Sequence, residues 1–499
     1  MADPNPFQHG VASGDPLTDR VILWTRVTTD GTNDVPVAWV IARDAQMKEV
    51  VGTGASTAAA DADWTVHVDA TALEPDATYF YGFRALDTDS PIARTRTLPA
   101  TTDHLRFAYV SCAKFNAGYF NVYGCIAARD DLQFLLHLGD YIYEGSNTPP
   151  ASQTPGADIG RPFEPIGECI TLDDYRTRYS QYHRDPDVQA MHHKLPIIPT
   201  LDDHEFADGA WSGGSTEHKP EYGPWATRKA AAFQAREEWL PIRRPDPADP
   251  TRVFRSFRVG DLAEIFLLDT RSRRDEPVPE PAMSDPSRSA MGKEQHDWLL
   301  TSLDASTARW RLLGNPSVMS PIWRPDFPDE LKPALLKVKL IAEDGLGPDY
   351  DQWDGYPVER DAFFTHLQEK DIDNLVVFSG DVHISLATEL HHDPFNPRDR
   401  PLAAEFVTPS ITSQNFDDKM KLPRHSPEAR EYERRATEWL PHWHWVDLDS
   451  HGYVIVDVTP AEVTAEFWHM ETVLERSVAE QRASAWSVEH GTALLARID

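Results

Sequence analysis

The sequence predicts a layered α/β domain that follows a smaller all-β domain. Residues 1–97 contain short runs rich in β-branched and aromatic residues, separated by Gly, Asp and Pro clusters, which is typical of a small β-sandwich. After a linker at residues 98–103, apolar strand-like runs alternate with segments of helical periodicity, which favours a layered α/β domain. A chain of 499 residues also exceeds one core of ordinary size, so we expect two domains.

The sequence pattern assigns elements along both domains. In the first domain, the composition predicts strands at residues 21–27, 35–41, 64–68 and 78–84. In the second domain, apolar runs predict strands that begin near residues 105, 134, 197, 263, 310, 375, 403, 453 and 463. Helical periodicity predicts helices at residues 119–130, 172–191, 225–239, 295–303, 359–369 and 477–495. Residues 145–170 are rich in Pro and Gly and predict a long loop. The expected domains are residues 1–100, residues 101–475, and a C-terminal helix in residues 476–499 that is a candidate lid.

The charge and the cysteine content exclude several classes of function. Lys and Arg number 48 and Asp and Glu number 80, which gives a net charge of −32. A field of this sign repels nucleic acid and anionic membranes, so any phosphate ligand requires local cations. Three cysteines are too few for a disulfide framework or a Cys-rich zinc module. No apolar run is long enough for a transmembrane helix.

Four predicted strand ends carry side chains that suit metal ions. In open α/β sheets, ligands bind beyond the carboxyl ends of the strands. Carboxylates suit Ca²⁺ or Mg²⁺, imidazole suits transition metals, and a thiolate with a phenolate suits Fe³⁺. Each strand end alone is compatible with an ordinary turn, but the four together indicate two unlike ions that share a bridging carboxylate. The strand ends are Gly139-Asp140 with Tyr143 close behind, Leu201-Asp202-Asp203-His204-Glu205, Gly380-Asp381-Val382-His383 and Val110-Ser111-Cys112.

These strand ends, with other motifs, resemble the PhoD-type alkaline phosphatase family of the metallophosphoesterase superfamily. The resemblance covers nearly the whole chain, and the motifs are specific in combination. They are Phe7-Gln-His-Gly-Val-Ala-Ser-Gly-Asp-Pro16, Val21-Ile-Leu-Trp-Thr-Arg26, Ser111-Cys112, His137-Leu-Gly-Asp-Tyr-Ile-Tyr-Glu144, Asp202-Asp-His-Glu205, Leu268-Asp-Thr-Arg271, Trp353-Asp-Gly-Tyr-Pro357 and Gly380-Asp-Val-His383.

The resemblance implies an architecture, cofactors and a location. It implies an N-terminal immunoglobulin-like β-sandwich and a metallophosphoesterase domain in which helices flank a central β-sandwich. It also implies Fe³⁺ beside one or two Ca²⁺ ions. Members of the family are usually exported folded through the twin-arginine route. We therefore expect a secreted or periplasmic protein, and we interpret the Met1-Ala2 start as that of a trimmed chain.

The resemblance also assigns roles to individual residues. The expected iron ligands are Cys112, Asp140, Tyr143 and His383. The expected calcium ligands are Asp203, Asp381 and the bridging Asp140. His204 matches the histidine that faces the leaving group. The alternatives are an inert buried thiol for the cysteine, core packing for the tyrosine, and satisfied buried histidines.

Three departures from the family pattern concern the second calcium site and its surroundings. Family members usually carry a calcium-binding Asn in the helix after the Asp-Asp-His-Glu motif, but residues 229–235 offer only alanines where it is expected. A water or another carboxylate is the expected replacement. The usual Trp before the Asp pair is Leu201, and the segment Leu440-Pro441-His442 lacks an Asn before the proline.

The expected reaction is hydrolysis of a phosphate ester. A hydroxide that bridges Fe³⁺ and Ca²⁺ attacks phosphorus, and protonated His204 donates to the leaving oxygen. Arg271 lies just past a strand end and is a candidate phosphate clamp, because a guanidinium fits phosphate in bidentate fashion. A surface ion pair is the alternative for this arginine. The substrates expected from the family are phosphodiesters and, in some members, phosphomonoesters.

The sequence also leaves other functions open. If Trp439, Trp443 and Trp445 are exposed, they provide an apolar surface for an acyl chain or a membrane interface. The resemblance also implies an alternative activity, because some members of the family act as phospholipase D on the distal phosphodiester of phospholipids. Core packing is the alternative for these tryptophans. A non-catalytic binding protein with a dead metal site predicts a colourless chain without iron. A di-zinc hydrolase requires the thiol and the phenol to be bystanders.

Overall fold

The computed structural model describes residues 5–146, 159–323, 328–329, 332–337, 341–342, 349–396 and 399–499. The strands are β1 Val11–Gly14, β2 Val21–Arg26, β3 Val35–Ala42, β4 Val50–Ala58, β5 Thr65–Ala70, β6 Thr78–Ala85, β7 Thr88–Asp89, β8 Ala93–Arg96, β9 Leu105–Val110, β10 Leu135–His137, β11 Ile197–Pro199, β12 Ala210–Trp211, β13 Gly214–Ser215, β14 Arg255–Val259, β15 Ala263–Leu267, β16 Trp310–Gly314, β17 Leu375–Ser379, β18 Ser385–Leu390, β19 Ala403–Val407, β20 Trp443–Asp447, β21 Gly452–Val458, β22 Glu462–Met470, β23 Glu480–Glu489 and β24 Leu495–Arg497. The helices are α1 Asn121–Ala127, α2 Leu172–His183, α3 Pro186–Lys194, α4 Trp225–Trp239, α5 Lys293–Ala305, α6 Lys332–Lys337, α7 Pro357–Glu369, α8 Phe416–Met420 and α9 Pro427–Trp439.

Two mixed sheets form the centre of the large domain. The first has the strand order β24-β23-β22-β21-β9-β10-β11-β1-β2-β5, and the second has the order β14-β15-β16-β17-β19-β18-β20. Side chains of both sheets, including Phe107, Leu136, Ile265 and Phe406, form one buried cluster. The two sheets therefore pack face to face.

Helices cover the outer faces of both sheets. Residues of α1 to α4 pack with Leu135 and Ile197 of the first sheet. Residues of α5 and α7 pack with Leu313 and Val377 of the second sheet. The prediction of a layered domain of strands and helices is confirmed, because amphipathic helices bury their apolar faces on sheets that are already buried on the other face.

The topology brings the predicted metal ligands to one edge. Strands β9, β10 and β11 run parallel to each other, and so do β15, β16, β17 and β19. Parallel strands place their carboxyl ends at the same edge of a sheet. The segments that follow β9, β10, β11 and β17 carry Cys112, Asp140, Asp203 and Asp381. The strand ends that the sequence singled out are therefore spatial neighbours.

Residues 5–97 consist mainly of strands with short connections, as predicted. Strands β1, β2 and β5 continue the first sheet, since β1 pairs in parallel with β11 through Gly14 and Ile197. Strands β4, β3, β6 and β7 form a second small sheet, and β8 pairs with β6. Both layers share one buried cluster that includes Leu23 and Tyr81. The backbone pairing thus crosses the boundary expected near residue 100, and that boundary stays a prediction.

Three local predictions need correction or qualification. The C-terminal helix is wrong: residues 480–489 are β23, which pairs with β22 over its whole length and is followed by β24. The alanines of this segment favoured a helix, but the alternation that puts Trp486 and Val488 against the core decides for a strand. The helix expected at residues 172–191 is two helices, because Asp185 caps a new helix that begins at Pro186. Part of the predicted loop, residues 147–158, lies outside the described residues.

The membrane prediction can be compared with the helices. Across the described ranges, none of the helices combines the length and the apolar character that a bilayer-spanning segment needs.

Candidate metal centre

An acidic cleft lies beyond the carboxyl ends of the parallel strands. Most of the predicted ligands line it, together with residues from other segments of the chain. The lining residues are Lys114, Asp140, Tyr143, Asp203, His204, Asp208, Asp349, Asp351, Gln352, Asp381, Val382, His383, Ser413, Gln414 and Lys419.

The four predicted iron ligands lie together at one end of the cleft. Ligand atoms of Cys112, Asp140 and His383 are all within 4.8 Å of one another. The phenol oxygen of Tyr143 is 3.4 Å from Nε2 of His383. The other ring nitrogen, Nδ1, contacts the main-chain oxygen of Gln414 at 2.9 Å, which fixes the ring and leaves Nε2 for the cluster. A thiol, a carboxylate, a phenol and an imidazole form a donor set that fits Fe³⁺.

A second set of ligand atoms shares one residue with the first. Oxygen atoms of Asp140, Asp202, Asp203 and Asp381 lie within 4.8 Å of one another. Asp140 is 1% exposed and Asp203 is 2% exposed, yet Asp140 Oδ2 and Asp203 Oδ1 have no hydrogen-bond partner. Buried carboxylate oxygens without partners are costly, and a bound cation removes that cost. An all-carboxylate set fits a hard ion such as Ca²⁺.

The charged state of the ligands depends on their burial. Burial raises the pKa of Cys112 well above its usual range, and nearby carboxylates raise it further. Burial also raises the pKa of Asp140, which His204 opposes and the neighbouring carboxylates reinforce. Burial, and then the charge of Lys419, lower the pKa of His383, so its imidazole is neutral. A metal ion favours the deprotonated thiol and carboxylate and accepts the neutral imidazole.

The backbone at the ligands is held in uncommon conformations. Cys112, Asp140, Asp381 and His383 have φ angles of 63°, 54°, 68° and 61°. Gly139 has φ 102°, and a Cβ there would lie 2.3 Å from the main-chain nitrogen of Asp202, so only glycine fits. Such clusters of strained residues are typical of functional sites whose surroundings fix the geometry.

Glu205 holds two ligand loops together. Its carboxylate accepts hydrogen bonds from the main-chain N–H groups of Asp140 at 3.0 Å, Tyr141 at 2.6 Å and Asp202 at 2.6 Å. The sequence analysis placed Glu205 in a motif without assigning it a role. Its position in that motif was the available signal for this role, because a buried carboxylate next to the predicted ligands needs several hydrogen-bond donors.

His204 pairs with a buried carboxylate that the sequence analysis gave no role. Its Nδ1 is 2.7 Å from Glu144 Oε2, and its ring lies 3.9 Å from the ring of Tyr143, centroid to centroid. Burial lowers the pKa of His204, but Glu144, Asp140 and Asp203 outweigh this and raise the pKa well above its usual range. Nδ1 faces Glu144, so Nε2 is the atom free to meet a ligand in the cleft.

Arg271 does not line the cleft. Its side chain is fully buried, and its guanidinium contacts the carboxylates of Asp202, Asp351 and Asp381, the last at 2.6 Å. Three carboxylates use its donor groups, so this geometry does not support the predicted phosphate clamp. The network is buried, so the geometry does not support the alternative of a surface ion pair either. Arg271 instead positions Asp381, a predicted calcium ligand, and the loop that carries Asp351.

The three candidate substrate-binding tryptophans do not line the cleft. Trp443 is 3% exposed, and its indole nitrogen donates to Ser320 Oγ at 3.2 Å. Trp445 packs against Phe467 with ring centroids 4.8 Å apart. Trp439 is half-buried against the cluster that contains Trp443. The geometry favours the alternative of core packing.

The departures from the family pattern also have structural outcomes. Residues 229–235 lie within helix α4, and this helix contributes no residue to the described cleft wall. A carboxylate, Asp208, lies in that wall, and the next residue, Gly209, donates its N–H to Asp203 Oδ2 at 2.7 Å. Leu201 is buried in the core between the first sheet and its helices. His442 is buried and contacts the main-chain oxygen of Pro321 at 2.8 Å.

Comparisons with known proteins agree with this geometry. A family described as PhoD-like phosphatase matches residues 107–467, and its N-terminal domain matches residues 1–99. Alkaline phosphatase D of Bacillus subtilis (strain 168) is 34% identical over 493 residues, covering 95% of this chain and 79% of that protein. A solved structure titled "Structure of PhoD" superposes with a TM-score of 0.87 at 31% identity, covering 100% of this chain and 94% of that one. The chain therefore belongs to the PhoD-like phosphatase family and is a phosphoric ester hydrolase.

Proposed function

We propose that the protein hydrolyses phosphodiesters, and phosphomonoesters as well, at a mixed centre of one Fe³⁺ and one or two Ca²⁺ ions. Cys112, Asp140, Tyr143 and His383 would hold the iron, and Asp203 and Asp381 would hold calcium together with Asp140. One observation carries this proposal: Asp140 belongs both to the cluster with a thiol and an imidazole and to the all-carboxylate cluster. Two unlike donor sets that share one carboxylate suit two unlike ions.

Two further carboxylates, which the sequence analysis did not name as ligands, lie near the proposed calcium ligands. Asp202 belongs to the all-carboxylate cluster but is tied to Arg271. Asp208 lies in the cleft wall close to Asp203, where the main-chain N–H of Asp208 donates to Glu144 at 2.8 Å. We infer that Asp208 supplies the oxygen donor that the missing Asn would provide. A second calcium ion thus has a carboxylate within reach.

When bound, the ions would activate water as the nucleophile and neutralise charge on the phosphoryl oxygens. The residues of the chain supply the remaining steps. His204, held by Glu144, would donate a proton from Nε2 to the departing alkoxide oxygen. After that transfer, Glu144 keeps Nδ1 protonated and the ring in place. Arg271 keeps Asp381 oriented, so positioning and charge complementarity carry much of the rate.

The experiment that tests this function combines metal analysis with a rate measurement. We expect iron and calcium in the purified protein, a visible absorption band from a tyrosinate–iron pair, and hydrolysis of bis(p-nitrophenyl) phosphate and p-nitrophenyl phosphate. Zinc without iron would support the di-zinc alternative. A colourless protein without iron and without activity would support the non-catalytic alternative.

The phospholipase D alternative lacks a supporting observation in the described structure. Besides the family resemblance, it depended on exposed tryptophans, but Trp443 is buried and Trp445 is partly buried against the core. We expect no release of choline from phosphatidylcholine dispersions by the iron-loaded protein with calcium present. Clear release that disappears in His204→Ala would reverse this conclusion.

We also infer that the protein acts outside the cytoplasm after export through the twin-arginine route. A calcium requirement suits that location, since extracellular calcium sites are filled at high ambient concentration. Fractionation of producing cells tests this, and the protein is expected in the periplasm or the medium.

A further inference from the structure

Both positive and negative side chains line the cleft wall. Five carboxylates besides the bridging Asp140 line it, at positions 203, 208, 349, 351 and 381. Among the lining residues that the structure describes, those with a permanent positive charge are Lys114 and Lys419. Arg271, the nearby arginine, is buried and does not belong to the described cleft wall. An anion that enters the described cleft therefore meets two ammonium groups.

Lys114 lies next to a predicted iron ligand, and a neighbouring segment connects it to Lys419. Nζ of Lys114 is 5.6 Å from the centroid of the Tyr143 ring. The main-chain oxygen of Lys114 accepts a hydrogen bond from Thr412 Oγ1 at 2.8 Å. This contact places Lys114 beside the segment that runs through Ser413 and Gln414, both in the cleft wall, into α8, which carries Lys419.

The same segment is fixed to the ligands themselves. Ser413 Oγ donates to the main-chain oxygen of Cys112 at 3.2 Å, and the main-chain oxygen of Gln414 is 2.9 Å from His383 Nδ1. The backbones that carry both lysines are thus anchored to two iron ligands. Both lysines therefore lie in the cleft wall on backbone segments that are held next to the proposed metal centre.

Charge balance explains why the site needs these cations. The chain has a net charge of −32, and such a field disfavours the approach of a phosphate dianion. A phosphomonoester carries more negative charge than a diester and has more unsubstituted oxygens to bind. Lysine acts on phosphate as a flexible point charge, and charge-assisted hydrogen bonds are about twice as strong as neutral ones.

We propose that Lys114 and Lys419 form an anion subsite that holds the unsubstituted oxygens of the phosphoryl group and of released orthophosphate. The subsite extends the substrate range from phosphodiesters to doubly charged phosphomonoesters. The proposal rests on the proposed phosphoesterase function for its substrate. Binding of orthophosphate itself can be measured without any turnover.

The test measures the binding of inorganic phosphate to the iron- and calcium-loaded protein by titration calorimetry. The variants are Lys114→Gln and Lys419→Gln, with Lys421→Gln as the matched control, since Lys421 is exposed at the end of α8 and does not line the cleft. Each cleft variant is expected to bind phosphate about tenfold more weakly, the effect of losing one charge-assisted contact. Lys421→Gln is expected to bind like the unaltered protein.

A kinetic measurement separates substrate classes. The KM for p-nitrophenyl phosphate is expected to rise more than the KM for bis(p-nitrophenyl) phosphate in both cleft variants. Lys114→Arg and Lys419→Arg are expected to recover most of the phosphate affinity, which a purely structural role would not predict. Iron and calcium contents and circular dichroism establish that each variant is folded and loaded.

The outcomes distinguish this proposal from the proposed function. Equal phosphate affinity in Lys419→Gln and Lys421→Gln, with normal metal content, would overturn the subsite even if esters are hydrolysed. Lysine-dependent phosphate binding without hydrolysis of any ester would support the subsite and contradict the proposed reaction. If Lys114→Gln loses iron, the Lys419 variants decide alone.

Discussion

Replacing Glu144 with Gln would remove the negative charge beside His204 while preserving the size of the side chain. Glu144 is 2% exposed; Oε2 is 2.7 Å from His204 Nδ1, and Oε1 accepts the N–H of Asp208 at 2.8 Å. Glutamine has one carbonyl oxygen, so it can accept only one of these hydrogen bonds. In either orientation, the amide loses a contact that the carboxylate makes.

The expected loss of rate can be calculated because the lost hydrogen bond involves a charged group. A hydrogen bond to a charged group contributes about 1.5–3 kcal/mol, which corresponds to a rate loss of about 10- to 150-fold. His204 lowers the pKa of Glu144 to about 2 against the effect of burial, so the carboxylate is charged whenever the enzyme works. The full loss is expected only for alkyl esters, because their leaving alkoxide needs a proton.

The assay compares kcat for an alkyl phosphate ester and for a p-nitrophenyl ester in the original and Glu144→Gln proteins. The aryl leaving group is weakly basic, so its hydrolysis is expected to change little. Glu164→Gln serves as a control, since Glu164 is exposed and pairs with Arg184. Equal losses for both esters would refute the proton-donor role and indicate that Glu144 only positions the loop of Asp208. An unchanged kcat for both esters would contradict the expected rate loss of about 10- to 150-fold.

Three further predictions concern the metals and the core. Cys112→Ser is expected to abolish the visible iron band and reduce bound iron, measured by absorption and metal analysis, whereas the buried Cys169→Ser retains both. Removing calcium with a chelator is expected to stop ester hydrolysis and lower the melting temperature, because buried oxygens of Asp140 and Asp203 lose their cation; added calcium restores both, and unchanged activity would contradict the calcium site. Trp443→Leu is expected to destabilise folding by about 2–4 kcal/mol in denaturant titrations with kcat unchanged, and a selective loss on lipid substrates would instead favour a substrate role.

The strand ends that carry the proposed metal ligands could be predicted from the sequence for a simple topological reason. Asp140, Asp203 and Asp381 each follow an apolar run, and parallel strands bring such positions to one edge. The partners of Arg271 could not be predicted in this way. Asp351 is 80 residues away along the chain and belongs to a loop whose position depends on tertiary packing. The sequence therefore identified the arginine but not its role.

Two other segments show where local patterns are not decisive. The Trp439–Trp445 segment has a density of tryptophan that is compatible with an exposed surface and with a core, and both interpretations stayed open until the neighbouring sheets were known. The segment from Glu480 to Glu489 has a composition that suits a helix, yet it forms a strand because it pairs with β22. In both cases the deciding partner is remote in sequence, where periodicity carries no information.

The neighbours of β9 have a consequence for biosynthesis. This strand lies between β10, which follows soon after it in the chain, and β21, which belongs to the last fifty residues. On the ribosome, one edge of β9 therefore stays unpaired until β21, which begins 342 residues after β9 ends, has emerged. Such long-range closure slows folding and exposes a strand edge to aggregation, so holding chaperones should matter more for the yield of this enzyme than for a protein built from local contacts.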